Sequence, residues 1–468
     1  MDRDLPLGTD PRRRLGGRIW PPFFLVLIAL LLLAWFRVGD EPRVEISAAL
    51  PAIGPATPVR VVIEEPARGL GPLRIELLQA GAVYPLDAQE FEPRPFWAFW
   101  GPRKQSYQAD LEVGRKAQPE LQEGEATLRV VAERAPTWLR RPGPLEVEET
   151  FAVRLRPPRL EVERAPAAVA TGGSGLVVYR VGSGSEADGV RIGPWSFPGY
   201  PLPGGEEGEK LAFFGVPFDL TESSEVLLVA ADELGNKVEL PFLSRLRVVP
   251  FAQDEIRLDE AFLRRVVSHI QAETPELRPS QDLLADYLVI NRDLRSSNGR
   301  ELQRLGEASA RGLLWRGRFL QLPGSQVMSS FADRRTYTYE GREVDRQDHL
   351  GFDLASTRQA LVPASNGGTV VLARFFGIYG RTVVIDHGYG LMSLYAHLSS
   401  ISVERGQPIS RGDAVGRTGA TGLAGGDHLH FSILLHGLPV NPLEWWDPRW
   451  IERQILGRIP EVSPAERG

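Results

Sequence analysis

The sequence predicts a mainly β chain. It would carry an N-terminal transmembrane helix, two β-sandwich-like modules, a short helical connector and a C-terminal antiparallel β-sheet domain with an open groove. Three observations predict this. Short apolar–polar alternations recur between residues 42 and 250, separated by proline and glycine, as in half-buried strands joined by turns. Six of the seven histidines lie between residues 349 and 436, among glycine-rich turns. One unbroken apolar run, residues 23–36, follows a cluster of arginines.

Composition narrows the classes. A chain of 468 residues exceeds one ordinary domain. Hydrophobic content of 43% and charged content of 24% belong to a globular protein. A formal net charge of −6 gives no nucleic-acid signature, so no nucleic-acid partner is expected. The absence of cysteine excludes disulfides, thiolate metal sites and a cysteine nucleophile. Any metal must be held by His, Asp or Glu.

Residues 1–18 form a basic tail with Arg12, Arg13, Arg14 and Arg18, expected to be cytoplasmic. Residues 19–37 follow as an anchor, near the lower limit of ~17–20 residues for a membrane span. Trp20 and Trp35 bracket it as interfacial aromatics do. A cleaved signal peptide is the competing reading, but Ala34-Trp35-Phe36 makes a poor cleavage site. The expected location is the inner (cytoplasmic) membrane, crossed once, with residues after about 37 facing the periplasm or cell exterior.

Alternating runs then define two β modules, at 42–157 and 158–250. The first contains Val59–Glu64, Leu73–Leu78, Ser106–Val113, Ala126–Ala132 and Phe151–Leu155. The second contains Leu160–Val162, Leu176–Val181, Leu211–Phe214, Val226–Ala231 and Val238–Phe242, with Leu234-Gly235-Asn236 as a hairpin turn. Neither holds a constellation that could do chemistry, so both read as spacers or docking surfaces. Residues 251–312 form a helical connector. Asp259 caps a helix with Phe262, Leu263, Val266, Val267 and Ile270 on one face, and Ser280 caps another. Asn291–Gly312 is polar, with Ser296-Ser297-Asn298-Gly299 as a breaker, and reads as a linker or a cover for the groove downstream.

Residues 313–450 hold the chemistry, and 451–468 a tail. His428 and His430 are two apart, which on a strand puts both imidazoles on one side about 7 Å apart. His349 and Asp353 are four apart, about 13 Å on a flat strand, so they share an ion only if the chain bends, as Gly351 permits. His397 ends a short apolar run. His387 and His436 each precede a glycine and read as turn residues outside the site; His269 reads as a packing residue.

Several motifs occur in order: His349-x-Gly351-x-Asp353, Pro363 to Val370, Ile385 to Gly390, Tyr395 to Leu398, Val403 to Gly416, Gly419 to Gly422, His428 to Phe431 and Val440 to Pro442. On these the stretch from Phe319 to Trp446 resembles the LytM/lysostaphin-type zinc metalloendopeptidases, the M23 peptidase family. The resemblance implies Zn2+ held by His349, Asp353 and His430. It implies that His397 and His428 serve as acid/base and oxyanion stabiliser around a zinc-activated water, with the division between them open. It also implies a substrate, the peptide cross-links of bacterial peptidoglycan. The alternative is a non-catalytic binding module that activates a cell-wall amidase, a possible enzyme partner; such members usually have lost ligands, and none is missing here. Two positions depart from the family: Ser432 stands where a glutamate is usual, and Asp427 where a small residue or proline is. Ser432 should line the groove, on the face of His428 and His430.

Overall fold

The structure is a computed structural model that describes residues 20–36, 41–66, 69–91, 103–134, 142–221 and 225–459. The basic tail with its arginines lies outside the described residues. The first described element is the helix Trp20–Phe36, of 17 residues. At ~1.5 Å per residue it reaches about 25 Å, less than a ~30 Å hydrocarbon core. Among the described residues no helix is long and apolar enough to cross a membrane.

The chain divides into two compact units, 1–156 with 233–236, and 157–232 with 237–468. The first holds two antiparallel sheets. One orders Arg43–Ala48, Thr57–Glu64 and Ser106–Val113; the other Ala82–Gln89, Leu70–Gln79, Gly124–Arg134 and Leu145–Val153. Alternation is the cause. In Thr57–Glu64 the residues Val59, Val61 and Ile63 are buried, while Pro58, Arg60 and Glu64 are exposed. They join one core with Ile75, Leu77, Leu128 and Val130.

The second unit opens with two four-stranded sheets. Tyr200–Pro201, Glu209–Gly215, Ser174–Val181 and Leu160–Arg164 make one; Trp195–Pro198, Ser185–Ile192, Val226–Asp232 and Lys237–Pro241 make the other. Unlike spacers, these strands share one hydrophobic core with the C-terminal sheet: Leu176, Phe213 and Phe214 belong to the same cluster as Phe431, Val440 and Trp445. The Phe213 and Trp445 rings lie 6.3 Å apart, and Trp445 Nε1 donates to Ser174 Oγ at 3.1 Å. Each large apolar side chain buried this way contributes ~1.5–3 kcal/mol. The alternating pattern looks the same whether a strand faces its own module or another one, so the sequence did not reveal the shared core.

The connector begins with Gln253–Leu258, a strand that pairs in parallel with Asp333–Tyr339; Arg342–His349 completes that sheet. Asp259 caps Glu260–Glu273 by accepting from Phe262 N at 2.7 Å, and Leu263, Val266, Val267 and Ile270 are buried as the spacing predicts. The next cap is Asp282, not Ser280, whose backbone N–H is taken by the Asp286 carboxylate. The linker reading of 291–312 is corrected. Leu283–Val289, a π turn at Ile290–Leu294 and Arg295–Glu307 run on as one helical stretch, straight through the expected breaker. Tertiary contact overrides local propensity here: Asn298 is buried and accepts from Ile378 N at 3.1 Å, and Leu302 packs on Val384, Met392, Leu394 and Leu434.

The C-terminal sheet has eight strands, every pairing antiparallel. The order is Gln326–Ser329, Phe352–Ala355, Leu429–Leu435, Leu391–Leu398, Arg381–Gly388, Gly368–Phe375 and Pro408–Ile409, with Leu438–Val440 also pairing Leu429–Leu435. Residues 451–459, expected to begin a tail, instead finish the helix Pro448–Gln454 and bury Ile451, Ile455 and Ile459 in the main core.

Candidate metal centre

The centre forms where two of the sheets of the C-terminal region meet. His349 ends Arg342–His349 in one sheet, and Asp353 lies in Phe352–Ala355 of the other. The bend between them is a change of sheet. Gly351 matters there for space rather than for backbone freedom, because its φ is not in the left-handed region. A Cβ at this position would sit 2.6 Å from His430 Nε2 and 2.6 Å from Ser432 Oγ. Asp353 pairs in register with His430 on the neighbouring strand. The result is a triad. His349 Nε2 lies 2.9 Å from Asp353 Oδ1 and 2.9 Å from His430 Nδ1, and His430 Nδ1 lies 3.0 Å from Asp353 Oδ1.

The surroundings decide which nitrogens face inward. A backbone carbonyl only accepts, so His349 Nδ1–H donates to Ser330 O at 2.9 Å and leaves Nε2 as a bare acceptor. Ser432 Oγ donates to Leu350 O at 2.8 Å, so it accepts from His430 Nε2–H at 3.0 Å and leaves His430 Nδ1 bare. Arg335 Nη2 donates to Asp353 Oδ2 at 2.9 Å and leaves Oδ1 turned to the histidines. Three acceptor atoms therefore converge with no proton among them, an arrangement that repels unless a cation sits between. Burial pulls His430 down to about 4, which keeps its imidazole neutral. Two neutral imidazoles and a carboxylate are the donor set of a catalytic zinc site that keeps one position open. His349, Asp353 and His430 also form a group that could hold a metal ion, their ligand atoms all within 4.8 Å of one another.

His397 arrives by a device invisible in the sequence. Ala396 pairs with His430, so on an ideal strand His397 would point to the opposite face. A bulge intervenes: Tyr395 pairs with Val383 and Leu398 with Arg381, leaving Ala396 and His397 opposite the single residue Thr382. His397 takes φ 60°, the left-handed region, which a histidine adopts only at a cost. Its ring is thereby brought to the side of the triad, 5.8 Å from the His430 ring and 4.9 Å from that of His428. His397 Nδ1–H donates to Thr421 O at 2.8 Å and His428 Nδ1–H to Gly426 O at 2.9 Å, so each presents Nε2. His428 Nε2 lies 3.4 Å from Asp353 Oδ1. Burial pulls His397 well below the ordinary histidine range, and the neighbouring His428 and His430 add to this. Burial also works against the charge on His428, but the Asp353 carboxylate outweighs it and the net shift is upward.

All five expected site residues line one cavity of about 220 Å³. Ser432 does not line it. It is 2% exposed and stands behind His430, fixing the ring. Asp427 accepts from Thr418 Oγ1 at 2.6 Å and Gln359 N at 3.2 Å, a loop brace. His387 lies within Arg381–Gly388 rather than in a turn; its Nδ1–H donates to Gly367 O at 2.6 Å and its Nε2 is hydrogen-bonded to Ser393 Oγ at 2.7 Å. His436 occupies the turn after Leu429–Leu435. Sequence reasoning missed Arg335, which sits in an alternating run with nothing to distinguish it from a surface arginine.

Residues 347–442 match peptidase family M23. Peptidoglycan DD-endopeptidase ShyA of Vibrio cholerae is 34% identical over 158 residues, covering 34% of this chain and 34% of that protein. DD-carboxypeptidase/endopeptidase Mpg of Neisseria meningitidis is 39% identical over 119 residues, 25% of each chain. A crystal structure of a peptidase M23 from Pseudomonas aeruginosa has a TM-score of 0.37 and 22% identity, covering 58% of this chain and 92% of that one. The chain thus matches about a third or less of the length of these curated relatives. With its motifs in order and its His–Asp–His triad assembled, the segment 347–442 is a member of peptidase family M23.

Proposed function

We propose that the chain is a zinc-dependent endopeptidase that hydrolyses peptide cross-links of bacterial peptidoglycan. The observation that carries this reading is the convergence of His349 Nε2, Asp353 Oδ1 and His430 Nδ1 within 3.0 Å, each turned inward by a fixed partner. A zinc ion held there would polarise a peptide carbonyl and lower the pKa of a water from ~15.7 towards ~7. The chain's own residues supply the rest. His397 and His428 present Nε2 to the same cavity, where one can take a proton from the attacking water and pass it to the leaving amine. The other can donate to the oxygen on which negative charge develops. The Nδ1 contacts hold both rings in the required tautomer.

The substrate class follows the named activities of the M23 relatives. His349, Asp353, His430, His397 and His428 all line one cavity, which favours catalysis over a purely binding role that would activate an amidase. The apolar helix Trp20–Phe36, with the arginines before it, supports anchoring in the cytoplasmic membrane, with the remaining chain on the outer side.

Incubating the purified full-length chain with zinc and dimeric muropeptides, and reading products by mass spectrometry, tests this. A cut peptide bond in the cross-link is expected. Intact muropeptides, together with stimulation of an added amidase, would replace this reading with the binding-module one.

A further inference from the structure

The cavity at the triad has a second wall that the reaction above does not use. The connector builds it, with Phe262, Tyr287 and Arg295. A chain of buried contacts puts Arg295 there. The π turn at Ile290–Leu294 adds one residue to the helical stretch, which turns everything after it by about 100°. Asp345 fixes that turn: Oδ2 accepts from Asn291 Nδ2 at 2.8 Å and Oδ1 from Arg292 Nε at 2.9 Å. Asn291 is fully buried and in turn holds Arg295, accepting from Nε at its carbonyl (3.0 Å) and from Nη2 at Oδ1 (2.6 Å).

Arg295 is thus held rigidly by neutral groups. Among the described residues no carboxylate lies within ion-pair reach of it, and its Nη1 has no hydrogen-bond partner. The other arginine of the cavity, Arg335, has its charge balanced by Asp353. A preorganised guanidinium with a spare amino group and no carboxylate in contact, Asp348 acting on it only at longer range, is a receptor for a planar two-oxygen anion. Phe262 and Tyr287 line the same cavity, and their rings lower its dielectric, which strengthens such a contact.

We propose that Arg295 binds a free carboxylate of the peptide substrate beside the bond that is cut, so that the chain selects anionic peptides. This rests on the reading of the site as a peptide-hydrolysing centre. The carboxylate is either the peptide's C-terminus or one carried on a side chain; both present the same pair of oxygens.

Direct binding to the zinc-loaded full-length chain tests the proposal without requiring turnover. Three synthetic tetrapeptides serve as probes, measured by calorimetry: one with a free C-terminal carboxylate, one amidated there with a side-chain carboxylate, and one with neither. One of the two anionic peptides should bind at least about tenfold more tightly than the neutral one, and which one it is identifies the source. Arg295→Gln should abolish that difference, and Arg295→Lys should retain part of it, with zinc content unchanged. Equal binding of all three by the wild-type chain would overturn the proposal. So would a carboxylate preference that survives Arg295→Gln, since the metal itself would then be the anion receptor. A chain that discriminates carboxylates yet cuts no muropeptide would overturn the proposed reaction and leave this subsite standing.

Discussion

The histidines of the centre are controlled through their second nitrogens. His349 is fixed by Ser330 O, His430 by Ser432 Oγ, His397 by Thr421 O and His428 by Gly426 O. Losing a ligand should differ sharply from losing one of these supports. His349→Ala or Asp353→Ala should abolish zinc binding, measured by elemental analysis of the dialysed chain. Ser432→Ala frees His430 Nε2 to rotate the ring and should weaken zinc affinity by roughly 10–100-fold while leaving a measurable site. Zinc affinity equal to wild type in Ser432→Ala would show that the hydroxyl does not orient the ring. His397→Ala and His428→Ala should retain one zinc per chain and lose roughly 10²-fold or more in turnover. The grouping of His349, Asp353 and His430 was an expectation of the family resemblance, and their side chains do converge; spacing alone left open whether His349 and Asp353 could meet. The placement of His397 was not legible: a period-two reading sends it to the wrong face, and only the bulge opposite Thr382 returns it.

At the scale of elements, the helix Arg295–Glu307 shows why local signals failed. Ser296, Ser297, Asn298 and Gly299 weaken a helix in isolation, yet Asn298 bonds Ile378 N and Leu302 fills a gap over the sheet. Gly306 is required by contact, since a Cβ there would meet the His436 backbone at 2.6 Å. Gly→Ala in a helix ordinarily stabilises by up to ~1 kcal/mol. Here Gly306→Ala should instead destabilise by ~1–3 kcal/mol in chemical denaturation, because backbone cannot move aside as a side chain can. A stabilised variant would mean that the helix does not approach the hairpin this closely. The cap at Asp259 and the apolar face of Glu260–Glu273 were legible because the hydrogen bond and burial are local and periodic. The π turn had no such signature, since Asp345, which fixes it, lies about fifty residues away in the chain.

For the whole molecule, the second β module and the C-terminal sheet share one core, and a polar contact ties them. Glu444 Oε2 accepts from Ser174 N at 2.8 Å and Ser174 Oγ at 2.7 Å. Burial pushes Glu444 up to about 7, although the Ser174 bonds pull the other way. In an unfolded chain it would titrate near ~4.3. Between those values the folded state keeps the proton that the unfolded state releases. This group's contribution to stability therefore falls as pH rises from about 4.3 to 7 and levels off above, by ~4 kcal/mol at most. Glu444→Gln should flatten that part of the stability–pH curve; an unchanged slope would assign the effect to another group. Strands such as Thr57–Glu64 and Glu209–Gly215 were legible one by one from their apolar runs, whereas Arg43–Ala48, Ala82–Gln89 and Ser185–Ile192 were not. The strands' partners were not legible either, because a half-buried strand does not specify which sheet covers it.

Turnover of a dimeric muropeptide by the full-length chain, stripped of metal and titrated with zinc, tests the central claim most directly. Cleavage of the cross-linking peptide bond should rise from the chelated baseline and saturate at one zinc per chain. A chain that takes up one zinc through His349, Asp353 and His430 and still leaves every peptide bond intact would contradict it.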